Sequence, residues 1–140
     1  MCFVLAPEVA GSLGDLTVID RTVFPPRVSE VELVFEGWLG DDLLETFPCF
    51  FITQRLHIAI EAAHLTGYSI DSVYISRSEL FNYLYPSRDL PGFVWLKVFG
   101  EACSDDFGVS ADHRLVVSQR ALDILSGFNL QNCDISNYPA

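Results

Sequence analysis

The sequence predicts an α+β domain in which a mixed sheet is flanked by helices, built from two related strand–loop–strand–helix–strand segments. Three observations predict it. Thr53-Gln54-Arg55 returns as Ser118-Gln119-Arg120, an offset of 65 that continues through Ile60 over Leu125, Leu65 over Leu130 and Ile70 over Ile135. In both copies an apolar run of strand type, Phe50-Phe51-Ile52 or Leu115-Val116-Val117, leads into a hydroxyl residue suited to cap a helix. Finally, the chain has 140 residues and half of them are hydrophobic, which suits one compact unit with a real core.

The helices follow from spacing. Leu56, Ala59, Ile60 and Ala63 fall at i, i+3, i+4 and i+7, one apolar stripe, and the second copy places Ala121, Ile124, Leu125 and Phe128 there. Gly67 and Gly127 lie near the helix ends, where a positive φ is expected. Strands are expected at 69–75 and 133–136. Upstream the likeness continues at an offset of 64, with Val34-Phe35 over Val98-Phe99 and Asp41-Asp42 over Asp105-Asp106. The single domain 1–140 then divides into an N-terminal segment 1–27, a first unit at about 28–75, a connecting helix and loop 76–92, and a second unit at about 93–136.

In chain order, 1–30 is the least legible part. Gly11-Ser12-Leu13-Gly14-Asp15 reads as a turn, 16–19 as a short strand, and Phe24-Pro25-Pro26-Arg27 as an extended connector. Residues 30–35 alternate and predict a strand with Val31, Leu33 and Phe35 on one face. Trp38 then stands between Gly37 and Gly40 and before Asp41-Asp42; it suits either an exposed anchor or a turn residue folded back on the core. Residues 43–47 predict a helical turn before Pro48. Ser76-Arg77-Ser78-Glu79 offers caps for a helix at 79–85 rich in aromatic residues, and 93–99 predicts an apolar strand carrying Lys97.

Charge is the strongest compositional signal: 8 basic residues against 19 acidic ones give −11. Such a field repels nucleic acid and anionic membrane and favours a basic protein partner, although acidity also serves solubility alone. The sequence holds no apolar run of the roughly 20 residues that a membrane-spanning helix needs, and MCFVLAPEVA lacks a basic signal-peptide start. A soluble cytoplasmic protein is expected, with Cys2, Cys49, Cys103 and Cys133 reduced.

Catalytic signals are weak. No CxxC pair, phosphate-binding glycine loop or nucleophile elbow occurs. His57, Glu61 and His64 share helical spacing, but the second copy has Leu122, Ser126 and Asn129 there, so an ordinary solvated face is preferred to a metal site. No cofactor or metal, and no enzymatic activity, is expected. The exposed-loop reading makes Glu36, Trp38, Asp41, Asp42 and Glu45, with Glu101, Asp105, Asp106 and Asp112, the candidate partner-binding residues.

The apolar strand, S/T-x-R and amphipathic helix of RLVVSQRALDIL, with the stretches GWLGDDLLETFP and DDFGVSADHRLVVS, resemble bacterial immunity proteins of polymorphic-toxin and type VI secretion systems. The resemblance covers about two-thirds of the chain and rests on structural motifs. It implies a cytoplasmic antitoxin that binds a cognate secreted toxin, expected to be basic, and blocks its site. The alternatives are a non-catalytic adaptor, or a homodimer formed through the aromatic segment Phe81 to Tyr85, and then a small hydrolase.

Overall fold

The computed structural model describes residues 1–139. The chain begins with β1 (Cys2–Ala6), β2 (Gly11–Leu13), β3 (Val18–Asp20), β4 (Arg27–Glu30) and β5 (Glu32–Phe35). A hairpin of β6 (Leu43–Thr46) and β7 (Cys49–Thr53) runs into α1 (Gln54–Ala62), then β8 (Tyr68–Asp71), β9 (Tyr74–Arg77) and α2 (Glu79–Leu84). The rest is β10 (Phe93–Val98), β11 (Phe107–Val109), β12 (Leu115–Ser118), α3 (Gln119–Leu125) and β13 (Asp134–Asn137).

The architecture is mixed α+β and mostly sheet. Instead of the single mixed sheet expected, the strands form four sheets. The first principal sheet has the order β6-β7-β10-β8 and the second β11-β12-β1-β13, both antiparallel throughout. A three-stranded sheet, β2-β5-β9, contains the one parallel ladder among named strands of the described residues, and β3-β4 form a ribbon.

The two principal sheets share order and register. Opposite β7, Phe93 faces Thr53 and Leu96 faces Phe50; opposite β12, Cys2 faces Ser118 and Leu5 faces Leu115. On the other flank, Trp95 faces Asp71 and Leu96 faces Ile70, while Val4 faces Ser136 and Leu5 faces Ile135. By register, therefore, the counterpart of β10 is β1. This corrects the alignment of Val34-Phe35 with Val98-Phe99, because β5 lies in the three-stranded sheet. Each inserted strand also sits in the sheet remote from it in sequence: β1 lies between β12 and β13, and β10 lies between β7 and β8. Strand pairing follows side-chain alternation rather than chain proximity, and a one-residue slip would turn every apolar side chain outward.

One core lies between the principal sheets and α1 and α3. It contains Leu5, Leu43, Phe50, Ile52, Leu56, Ile60, Leu96, Phe107, Leu115, Val117 and Leu125. A second core, with Val31, Leu33, Phe35, Leu44, Phe51, Phe81, Phe93 and Trp95, covers the other face of the first sheet. β7 is thus buried on both faces, which is why its sequence is continuously apolar rather than alternating. Each large side chain fully buried here contributes about 1.5–3 kcal/mol.

Other expectations also change. Residues 43–47 contain strand β6 rather than a helical turn, because Leu43 and Leu44 each serve a different core. The strand expected at 69–75 is two, broken at Ser72-Val73, with β8 and β9 in different sheets. The loop around Asp105-Asp106 contains β11. Gly67 has φ +92, and a Cβ there would meet the Phe107 carbonyl oxygen at 2.1 Å, but Gly127 is not among the positive-φ residues. Cys2 and Cys103 form a disulfide, so these two cysteines are not reduced; Cys49 and Cys133 are free. Among the described residues no helix is long and apolar enough to cross a membrane.

Candidate functional site

The acid pairs do not form exposed loops. Asp41, Asp42 and Asp106 are buried, and their partners come from this chain. Thr53 caps α1 by accepting the Leu56 N–H at 3.4 Å, and its own hydroxyl donates to Asp42 at 2.6 Å. Arg55, the first-turn residue on the same side, donates both Nε (2.8 Å) and Nη2 (2.6 Å) to that carboxylate. The Asn129 N–H completes the set at 2.8 Å. The second helix repeats the arrangement: Ser118 caps α3 and donates to Asp106 at 2.7 Å, Arg120 donates at 2.9 Å, and the Thr66 N–H donates at 2.9 Å. Burial alone would raise both carboxyl pKa values. Hydrogen bonds from the arginine, the hydroxyl and the backbone N–H outweigh it, lowering Asp42 and holding Asp106 at about 2.

Asp41 and Asp42 point to different partners. Asp41 accepts from Asn132, through the backbone N–H at 2.9 Å and the side-chain amide at 3.0 Å. Trp38 folds back: its Nε1 donates to the Asp41 carbonyl at 3.0 Å, its ring meets Phe93 edge-on at 5.9 Å, and the Arg88 guanidinium lies over it. Glu8, not singled out in the sequence, is buried and accepts the Leu39 and Asp41 N–H groups at 2.6 and 3.1 Å. Burial raises its pKa. These residues organise the loop from within, so the exposed-loop reading is corrected for the buried Asp41, Asp42 and Asp106 and for Trp38, which is half-buried against Phe93.

The other candidates reach the surface to different degrees. Glu36, Glu101 and Asp112 are exposed; Glu45 and Asp105 are half-buried. Asp105 accepts the Glu101 N–H at 2.8 Å, and Asp112 accepts from the Ser110 hydroxyl, which lowers its pKa. Burial raises Glu45.

What the sequence reading missed is an exposed aromatic surface. A groove of about 190 Å³ is lined by Pro26, Pro48, Trp95, Lys97, Phe99 and His113, among others. Phe24, Phe47 and Phe99 are exposed, at 66, 47 and 70%. Phe24 stacks on Phe47 with ring centroids 6.3 Å apart, and Phe47 meets the His113 ring at 5.5 Å. His113 is held between Phe50 and Phe47; its Nε2 lies 2.7 Å from the Pro48 carbonyl and its buried Nδ1 has no partner among the described residues. Asp112 precedes this histidine, and Glu101 follows Phe99 by two residues. The available signal was the dipeptide Phe-Pro, which occurs at 24–25 and again at 47–48 and places a large apolar ring beside a turn.

The aromatic helix divides. Phe81 is fully buried, whereas Leu80, Tyr83 and Leu84 are exposed. Among the described residues no group of three or more His, Cys, Asp or Glu is placed to hold a metal ion; His57 lies 3.3 Å from Glu61 as an i,i+4 pair. No protein-family model matches this chain, and no curated protein matches it.

Proposed function

We propose that the chain is an immunity protein, a non-catalytic inhibitor that binds a basic secreted toxin. The observation that carries this reading is the exposed Phe24–Phe47 stack against His113, with exposed Phe99 on the groove that His113 also lines; the exposed acids Glu101 and Asp112 lie close in sequence to Phe99 and His113. Aromatic anchors inside a charged rim are the usual anatomy of a tight interface. With a net charge of −11, complementarity would speed encounter with a basic partner. Glu36, Glu45 and Asp105 belong to the outer rim, while Asp41, Asp42, Asp106 and Trp38 hold the loops in shape. Nucleic acid and anionic membrane are disfavoured as partners by the same charge.

The matching registers of the two principal sheets favour an origin by duplication, with the inserted strands exchanged between the two units. The toxin would then meet one unit's aromatic loop and the other's acidic turn. The proposed site of action is the cytoplasm of the protected cell. The Cys2–Cys103 disulfide argues for a more oxidising setting; counting thiols in protein isolated without reductant addresses this directly.

A second reading, a homodimer, is favoured by the exposed side chains of Leu80, Tyr83 and Leu84 on α2. Co-expression with the C-terminal domain of an adjacent secreted-type gene product tests both. Rescue of growth with a one-to-one complex supports immunity. Toxicity without rescue, together with a concentration-dependent dimer, supports the second reading.

A further inference from the structure

We propose that the Cys2–Cys103 disulfide is a reducible fastening that locks β1 into the second principal sheet. β1 is the one strand of that sheet that comes from the beginning of the described chain; its neighbours, β12 and β13, lie beyond residue 114. It is a central strand, paired on both sides, and it supplies Leu5 to the main core. Cys2 opens it, facing Ser118. Cys103 lies in the turn before β11, with its Cα 5.6 Å from that of Cys2 and 101 residues away in sequence. The bond therefore ties the inserted strand to the segment that receives it.

The other principal sheet has no such tie. The register counterpart of Cys2 is Phe93, and the residue corresponding to Cys103 at the offset of the acid pairs is Leu39. Of two inserted strands in equivalent places, only β1 is held covalently. The two ends of the bond also differ. Cys2 is buried at 7% exposure, whereas Cys103 is exposed and has φ 67, a left-handed backbone that a non-glycine residue adopts only when its surroundings impose it.

Of the two residues Cys103 is the exposed one, so the attack of a dithiol reductant is expected at its sulfur. The reductant's thiolate attacks that sulfur, the S–S bond breaks, and Cys2 leaves as a thiolate that takes up a proton. The second thiol of the reductant then attacks the mixed disulfide. Cys103 is released, the reductant becomes a disulfide, and two electrons have passed to the protein. Reduction removes the constraint on β1 and on β13, which pairs only with β1. β7, β8 and β10 keep all their partners.

Hydrogen exchange on the whole protein, with and without dithiothreitol, tests this. Free thiols in the unfolded, alkylated protein should rise from two to four on reduction. Exchange in β1 and β13 should quicken roughly tenfold or more, while β7 and β10 stay within about twofold, as expected for local rather than global opening. Cys103→Ser should show the fast pattern without reductant and no response to it. Four thiols before reduction, unchanged exchange in β1, or an equal increase in both sheets would each overturn the proposal.

Discussion

The carboxylate of Asp42 accepts the backbone N–H of Asn129, 87 residues further along the chain, at 2.8 Å. Asp106 accepts the N–H of Thr66 at 2.9 Å. Asp42 thereby joins the start of α1 to the segment that follows α3, and Asp106 joins the start of α3 to the segment that follows α1. The arginines complete the crossing: Arg120 also donates to the carbonyls of Ala63 and His64, and Arg55 lies over the Phe128 ring.

The two carboxylates should therefore matter more than their arginines. Asp42→Ala or Asp106→Ala leaves a cap hydroxyl, a guanidinium and a remote backbone N–H without their acceptor, and each buried donor left unsatisfied costs about 1–3 kcal/mol. The arginine side chains are 65 and 56% exposed, so Arg55→Ala or Arg120→Ala should cost less than the aspartate changes. Urea unfolding of the four variants measures the difference. Equal losses for Asp and Arg would mean that the ion pair alone, without the crossing to the other helix, supplies the stability.

Acid should act through the same residues. Asp106 titrates at about 2 in the fold against an ordinary 3.8, and Asp42 shifts in the same direction. A depressed carboxyl pKa stabilises the fold above its unfolded value, so this contribution is complete above about pH 4 and is lost as pH falls towards 2. Glu8 and Glu45 have the opposite sign: burial raises both above 4.5, so they weaken the fold at neutral pH and that loss is recovered as they protonate. Tm should hold or rise slightly from pH 7 to about 5 and then fall steeply below about 4. Asp106→Asn should flatten the acid limb. A Tm that falls steadily from pH 7 would contradict this assignment.

The local rules were legible in the sequence because short-range chemistry decides them. Thr53, Ser78 and Ser118 all cap helices, and the apolar stripes of α1 and α3 face the core. The insertion of β1 and β10 was not legible. An apolar run such as Cys2-Phe3-Val4-Leu5 carries no mark of which sheet will receive it, since pairing depends on surfaces formed far away in sequence. The acid pairs misled for a related reason. Asp41-Asp42 followed by apolar residues looks like a solvated loop until Arg55, Asn129 and Asn132 converge on it. Only one sign was present beforehand: each Asp pair preceded a hydroxyl-x-Arg unit at almost the same distance.

The groove beside His113 and the Phe24–Phe47 stack should carry binding to a toxin, and three exposed rings there can be changed without entering either core. Phe24, Phe47 and Phe99 expose much of their rings, so Phe47→Ser or Phe99→Ser should leave urea stability within about 1 kcal/mol. At an anchor position the same truncation costs at least about 2 kcal/mol of binding, a loss of roughly thirtyfold in affinity that appears in the off-rate. Glu101→Lys and Asp112→Lys should act differently. They lie on an exposed rim, so they should slow association at low salt and reduce its salt dependence while leaving dissociation nearly unchanged. Tyr83→Ser, on the exposed side of α2, is the control. Stopped-flow association and dissociation with the co-purified toxin domain separate the cases. If Tyr83→Ser weakens the complex while Phe47→Ser and Phe99→Ser do not, the toxin docks on α2 and the aromatic groove is not the contact; if the acid reversals alter only dissociation, these carboxylates make direct buried pairs rather than steering the partner from the rim.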